Sequence, residues 1–257
     1  MRSRLAVTQL SLRFEVLPTV NCSTSAVRRR LLPETAPVPR RLTAFSSLIV
    51  AWRTSAARAA LEACIRSTYA AAHGATIRHF LPLLLGLSGD SGELLGAIGA
   101  QPGREPGRMF LETYLDEPVE AALSRALGQE APRVALAEVG NLAAVEPGTG
   151  LALVSTLAAY LDGLGVSWAV FTATDTLRGR FLRCGLELAD LGPADGHRLG
   201  EQLADWGRYY ETAPRVTAAH IGSLRERLAR DERLAERCSA VWDEALRQGR
   251  LHDRDAA

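Results

Sequence analysis

The sequence predicts an α/β or α+β domain followed by an amphipathic C-terminal helix. Short apolar runs alternate with segments of helical periodicity, the pattern of strands and helices in turn. Glycine-containing turns punctuate that alternation. The last charged stretch, residues 221–248, carries Leu224, Leu228, Leu234, Cys238 and Val241 where they can face one side of a helix. With 257 residues, 47% of them hydrophobic and 23% charged, the chain is long and apolar enough to bury a full core.

Residues 1–54 stand apart. Their only acids are Glu15 and Glu34, against many arginines, and Pro33, Pro37 and Pro39 interrupt any long element. They read as a basic, disordered extension, with the ordered domain at 55–221 and a helix and tail at 222–257. The apolar run at 48–52 lies too far from Met1 for a signal peptide. Residues 55–69 are Ala-rich, with Leu61, Ile65 and Tyr69 on a helical stripe that His73-Gly74 ends. Residues 80–87 form a strand, the turn 88–92 follows, and 93–100 is its hairpin partner, with Gly96 and Gly99 leaving one face open. After a Gly/Pro loop at 101–108, Asp116-Glu-Pro118 opens a helix to about Leu127. A strand at 134–139, an apolar helix at 148–164, a strand at 166–174 and a short helix at 176–184 come next. Gly185 ends that helix, and a final strand starts at Leu186.

Several chemistries are excluded. All basic residues are arginine, so no lysine Schiff base, Walker-A lysine or Ser-Lys pair is available. A net charge of +1 gives no bias toward nucleic acid. Cys22, Cys64, Cys184 and Cys238 form no CxxC pair and read as free thiols in a reducing, cytoplasmic setting. The five histidines show no metal-ligand spacing, so no metal is expected. No apolar run approaches the roughly 18 residues of a membrane span, and no Gly-x-Ser-x-Gly elbow is present.

The stretch Glu138-Val-Gly-Asn-Leu-Ala143, followed by Gly148-Thr-Gly150, is the most informative. A strand ends in an acid, Gly140 permits a bulge, and a Gly-x-Gly turn opens a helix whose free N–H groups favour an anion. Glu138 is the first choice for a general base. Its alternative is an ion pair with a nearby arginine. Asn141 follows as an orienting group or a turn residue. Asp175 and Arg178 flank a strand–helix junction. Asp175 reads most simply as an N-cap, and Arg178 as a phosphate or carboxylate ligand or a solvated arginine. Thr172 and Thr174 lie on the preceding strand. Glu112 and Tyr114 sit where they can shape a substrate pocket or pack, and Trp206, Tyr209 and Tyr210 form an aromatic cluster.

This arrangement resembles the GNAT acetyltransferase superfamily. The resemblance implies a three-layer α/β/α domain with a mixed central sheet and a splayed fourth strand. The backbone of Val139, Gly140 and Leu142 would hold an acyl thioester, and Gly148, Thr149 and Gly150 its pyrophosphate. The superfamily's Gln/Arg-x-x-Gly-x-Gly/Ala motif starts here with Val145, and its thiolate-protonating tyrosine is Phe181. A proton donor must then come from elsewhere, with Tyr209 or Tyr210 as candidates. The element order is also similar to that of acyl-homoserine-lactone synthases, with residues 96–127 as the insert before the Glu-bearing strand. Four motifs together resemble the thermostable hemolysin family. They are Phe110-Leu-Glu-Thr-Tyr-Leu-Asp-Glu-Pro118, Glu138-Val-Gly-Asn-Leu-Ala143, Phe171-Thr-Ala-Thr174 with Leu177-Arg178, and Trp206-Gly-Arg-Tyr-Tyr210.

The implied activity is transfer of an acyl group from acyl-CoA or acyl carrier protein to a small-molecule amine. The apolar loop at 101–127 would line the acyl chain, and no cofactor would be held permanently. The family name also implies membrane lysis, for which residues 1–54 and the helix from Ile221 would be the agents. A third reading is a binding module that holds the thioester without turnover.

Overall fold

The computed structural model describes residues 45–146, 148–183, 186–230 and 232–255. One half of its sheet is built on the hairpin of β2 (Leu83–Ser88) and β3 (Leu94–Pro102). Every residue of β2 is buried, as a continuous apolar run requires when both faces of a strand are covered. β1 (Ser47–Ala51) pairs antiparallel with β2 at one edge. On the other side β3 pairs antiparallel with β4 (Leu136–Ala144), and β4 pairs in parallel with β5 (Trp168–Ala173). β7 (Arg215–His220) lies antiparallel to β5, and β6 (Leu188–Pro193) closes the far edge. The seven-stranded order is β1-β2-β3-β4-β5-β7-β6.

Helices cover both faces. α1 (Arg58–His73) buries Leu61 and Ile65, one turn apart, against Leu84, Ala97 and Ala143. Gly74, at φ 66°, terminates it in the left-handed conformation. α2 (Val119–Leu127) and the 3-10 segment Phe110–Tyr114 share that face with Leu136, Val170 and Val216. The opposite face holds α3 (Thr149–Gly163), α4 (Asp175–Arg183), α5 (Ile221–Ala229) and α6 (Glu232–Asp255). There Leu157, Phe181, Leu224 and Val241 pack with Leu85, Ile98 and Phe171. The α/β/α layering and the mixed sheet match the expected fold class.

Four expectations are corrected. Order does not wait until residue 55, because Ser47–Ala51 is a sheet strand and Phe45 is buried. The run at 48–52 is apolar because it pairs with β2. The rest of the basic extension, residues 1–44, lies outside the described residues. The strand at 134–139 does not stop near Glu138 but runs on to Ala144. The strand from Leu186 is not the last, since β7 follows it and inserts between β5 and β6. Its sequence, Arg-Val-Thr-Ala-Ala-His, has little intrinsic β signal, and its neighbours on both sides define it.

The charged C-terminal stretch is two helices rather than one, and it belongs to the core. α6 packs along α3 with Cys238, Val241 and Ala245 buried. Two glycines make the approach close. A Cβ on Gly163 would lie 2.4 Å from the Leu246 carbonyl oxygen, and one on Gly249 would lie 2.2 Å from that of Tyr160. The expected core side chains of Leu228 and Leu234 lie outside the described residues.

Candidate functional site

β4 and β5 pair only from Leu136↔Trp168 to Val139↔Phe171. β4 then stays with β3 through Ala143↔Ala97 and Ala144↔Gly96. Gly99 faces Gly140 and Ala97 faces Ala143, so β4 carries one extra residue in this interval, a β-bulge. Asn141 sits in it at φ 53°, a left-handed conformation that asparagine tolerates better than most residues. Its Oδ1 accepts from the Leu81 N–H at 2.9 Å, and its Nδ2 donates to the His79 carbonyl at 3.4 Å. The bulge and this tie carry β4 away from β5.

A cavity of about 520 Å³ occupies the split, a volume ordinary for a small-molecule site. Successive strand residues point to opposite faces. Val139 and Phe171 line the cavity on the α3 side, and Glu138 and Thr172 line it on the α1 side. The cavity therefore passes through the sheet. One limb is apolar, walled by Leu157, Ala158 and Leu161 of α3 with Phe181 and Leu224. The other is polar and aromatic, with Glu138, Gln101, His73, Tyr209 and Trp206. Backbone of Val139, Gly140, Asn141 and Leu142 lies between them.

Glu138 is only 5% exposed. Its Oε2 accepts from the Phe110 N–H at 2.7 Å and its Oε1 from the Leu111 N–H at 3.1 Å. Burial disfavours the charge and outweighs those two donors, and the carboxyl is pushed up to about 7. Tyr209 shares a hydrogen bond of 3.1 Å with the Thr172 hydroxyl, and burial raises its phenol. Tyr114 lines the cavity and bonds the Tyr210 hydroxyl; burial raises both phenols. Burial, helped by Arg208, lowers the His73 imidazole.

The structure brings Glu138, Val139, Gly140, Asn141, Leu142, Tyr114, Thr172, Thr174 and Tyr209 to one cavity. It separates the others. Glu112 does not line the cavity. Its carboxylate accepts from the N–H groups of Met109 and Val119 and pairs with Arg133 at 2.6 Å, so it staples the 3-10 segment to α2. Burial alone would raise it, but Arg133 and the two N–H donors hold it below the usual carboxylate range. Asp175 is exposed and pairs with Arg178 at 3.3 Å; Arg178 also reaches Asp190 at 3.5 Å. Neither residue lines the cavity. The cap of α4 is Thr174, whose Oγ1 accepts from the Leu177 N–H at 3.3 Å. Asn141 is on the cavity wall, yet both ends of its side-chain amide are spent on the 79–81 backbone. Gly148, Thr149 and Gly150 do not reach the cavity; Thr149, the first residue of α3, is buried against Gly96 of β3. The loop at 101–127 contributes Gln101, Arg108, Phe110 and Tyr114 to the polar limb, and the apolar limb is built by the helices instead.

Residues missed in the sequence include Gln101, His73, Arg53 and Arg108. Gln101 stands opposite Glu138 in the β3–β4 register, a relation that exists only once the strands pair.

A family model for thermostable hemolysins matches residues 51–224. The chain belongs to the thermostable hemolysin family. No curated protein matches this family member in sequence. Among solved structures it is similar to FeeM, an N-acyl amino acid synthase from uncultured soil microbes. That similarity is 18% identity over 70% of this chain and 94% of FeeM, with a TM-score of 0.48. It is also similar to MesI, a CoA-dependent acyl-homoserine lactone synthase, at 14% identity over 72% of this chain and 94% of that one, TM-score 0.46. A third is the AHL synthase LasI, at 15% identity over 68% and 91% of the two chains, TM-score 0.44. In this family member the β4–β5 pair splays within a mixed sheet flanked by helices on both faces, as the sequence resemblance implied.

Proposed function

We propose that this thermostable hemolysin family member is an acyltransferase that moves an acyl group from a thioester, on coenzyme A or a carrier protein, to a small-molecule amine. One observation carries the reading. A buried carboxyl poised near neutrality opens into a through-sheet cavity whose far limb is apolar. An acyl chain fits the limb beneath α3, which places its thioester in the split beside Val139–Leu142. Beyond Val139 the β4 backbone has no β5 partner, so its polar groups are free to face a thioester carbonyl.

Glu138 takes a proton from the amine, whose nitrogen attacks the thioester carbon. The C–N bond forms, the C–S bond breaks, and the thiolate leaves with a proton. Phe181 has no hydroxyl to give it one. Tyr209 is on the Glu138 side of the sheet, and burial keeps its phenol protonated, so it is the donor we favour. The products are an amide and a free thiol. The membrane-lytic alternative loses one of its agents, because the buried residues of α6 are covered by α3.

The test pairs binding with turnover. Acyl-CoAs of increasing chain length should raise the melting temperature of the wild-type protein and release thiol when an amine is supplied. Glu138→Gln should keep the thermal shift and lose about 100-fold or more of the turnover. No shift at any chain length, with Glu138→Gln indistinguishable from wild type, would sink the proposal.

A further inference from the structure

The polar limb holds two arginines that the proposed reaction does not use. Arg53 follows β1 by two residues, and Arg108 lies in the loop after β3; both are exposed and both line the cavity. Arg108 is steadied by donating from Nη2 to the Glu112 carbonyl at 2.6 Å. Neither forms an ion pair with a carboxylate among the described residues. Among the described residues the only carboxyl on the cavity wall is Glu138, and both of its oxygens already accept backbone N–H groups. The polar limb is therefore electropositive and carries guanidinium donors to spare.

The sheet register shows which part of a substrate they meet. Ala51 pairs with Leu84, and Pro102 pairs with Ala137 at the start of β4. Arg53 and Arg108 thus emerge at the sheet end where β4 begins. The start of α3, where the fold would seat a carrier's pyrophosphate, follows the opposite end of β4. Nine residues of strand separate those ends, roughly 25 Å at about 3.3 Å per residue. An anion at the arginines therefore lies apart from that helix start. It also lies on the face of the sheet from which the amine must approach Glu138.

Resting on the acyltransferase reading, we infer that the acceptor is an amine carrying a carboxylate, an amino acid in chemical class, with that carboxylate held by Arg108 and Arg53. A guanidinium matches a carboxylate in two parallel hydrogen bonds, which orients the amine as well as attracting it. The product is an N-acyl amino acid with its chain in the apolar limb and its carboxylate at the mouth.

Product analogues test this without needing turnover. The full chain is titrated with N-dodecanoylglycine, with its neutral primary amide, and with dodecanoyl-CoA, following tryptophan fluorescence because Trp206 lines the cavity. The acid should bind about tenfold or more tighter than the amide, since a charged group contributes more than a neutral one at a paired site. Arg108→Gln and Arg53→Gln should each shrink that gap. Both variants should leave dodecanoyl-CoA affinity within about threefold, because they remove no contact to a carrier at the far end of β4. Equal binding of acid and amide would overturn the assignment while leaving the acyl slot intact. A selective loss of dodecanoyl-CoA affinity in the variants would also overturn it, by giving the arginines to the carrier's phosphates. If none of the three ligands binds, the acyltransferase reading falls together with the inference.

Discussion

Glu138 accepts from the N–H groups of the 3-10 segment that contains Glu112, and the surroundings of the two carboxyls push them in opposite directions. Glu138 forms no ion pair among the described residues; burial outweighs its two N–H donors and the more distant Arg133 and raises its carboxyl from an ordinary 4.5 to about 7. Glu112 has Arg133 and two N–H donors, which outweigh burial and lower it. The signs follow by linkage. A carboxyl raised in the folded state contributes stability that is full below 4.5 and is lost as pH rises through about 7. A carboxyl lowered in the folded state contributes stability that is present above its ordinary value and is lost as pH falls. Urea unfolding across that window should therefore show a loss of stability toward pH 7 that Glu138→Gln abolishes. The rate of acyl transfer should rise with pH through about 7, as Glu138 becomes a base. A rate that is flat across this range would remove Glu138 as the base.

At the scale of elements, the junction of β5 and α4 separates two neighbouring residues with similar prospects. Asp175 was expected to cap α4, but Thr174 does so through the Leu177 N–H. Thr174→Ala should cost about 1 kcal/mol of stability. Asp175→Ala should stay within about 0.5 kcal/mol, because its ion pair with Arg178 is largely in water. Thermal melts of the two variants check this, and an equal loss in both would contradict the cap assignment. The β4 bulge belongs to this scale too. Gly140 advertised a bulge in the sequence, but the residue that takes the left-handed backbone is Asn141. Nothing local to Asn141 says so. Its side chain is recruited by Leu81 and His79, about sixty residues earlier in the chain.

For the whole molecule, α6 decides whether the C-terminal region is an appendage or part of the core. The family match ends at residue 224, yet α6 beyond it buries Cys238, Val241 and Ala245 against α3, the helix whose other residues wall the apolar limb. Gly249 permits that contact, since a Cβ there would strike the Tyr160 carbonyl oxygen at 2.2 Å. Gly249→Val should cost about 1–3 kcal/mol through forced separation of the helices. It should lower the urea midpoint with little change in slope. A variant as stable as wild type would show that the seam tolerates separation.

By itself the chain determined most of its elements, its α/β class and the place of one acid, Glu138, within a strand. Those are properties of local periodicity, turn residues and an acid set in an otherwise apolar strand. Tertiary structure alone decided three things. It inserted β7 between β5 and β6, since a short strand of small residues is defined by its neighbours. It drew Arg53, His73 and Gln101 to the cavity that Glu138 also lines, a convergence of separate segments that no spacing encodes. It also closed the start of α3 onto β3 through Thr149 and opened the cavity along β4 and β5 instead, because which buried face stays unfilled depends on how all the layers pack.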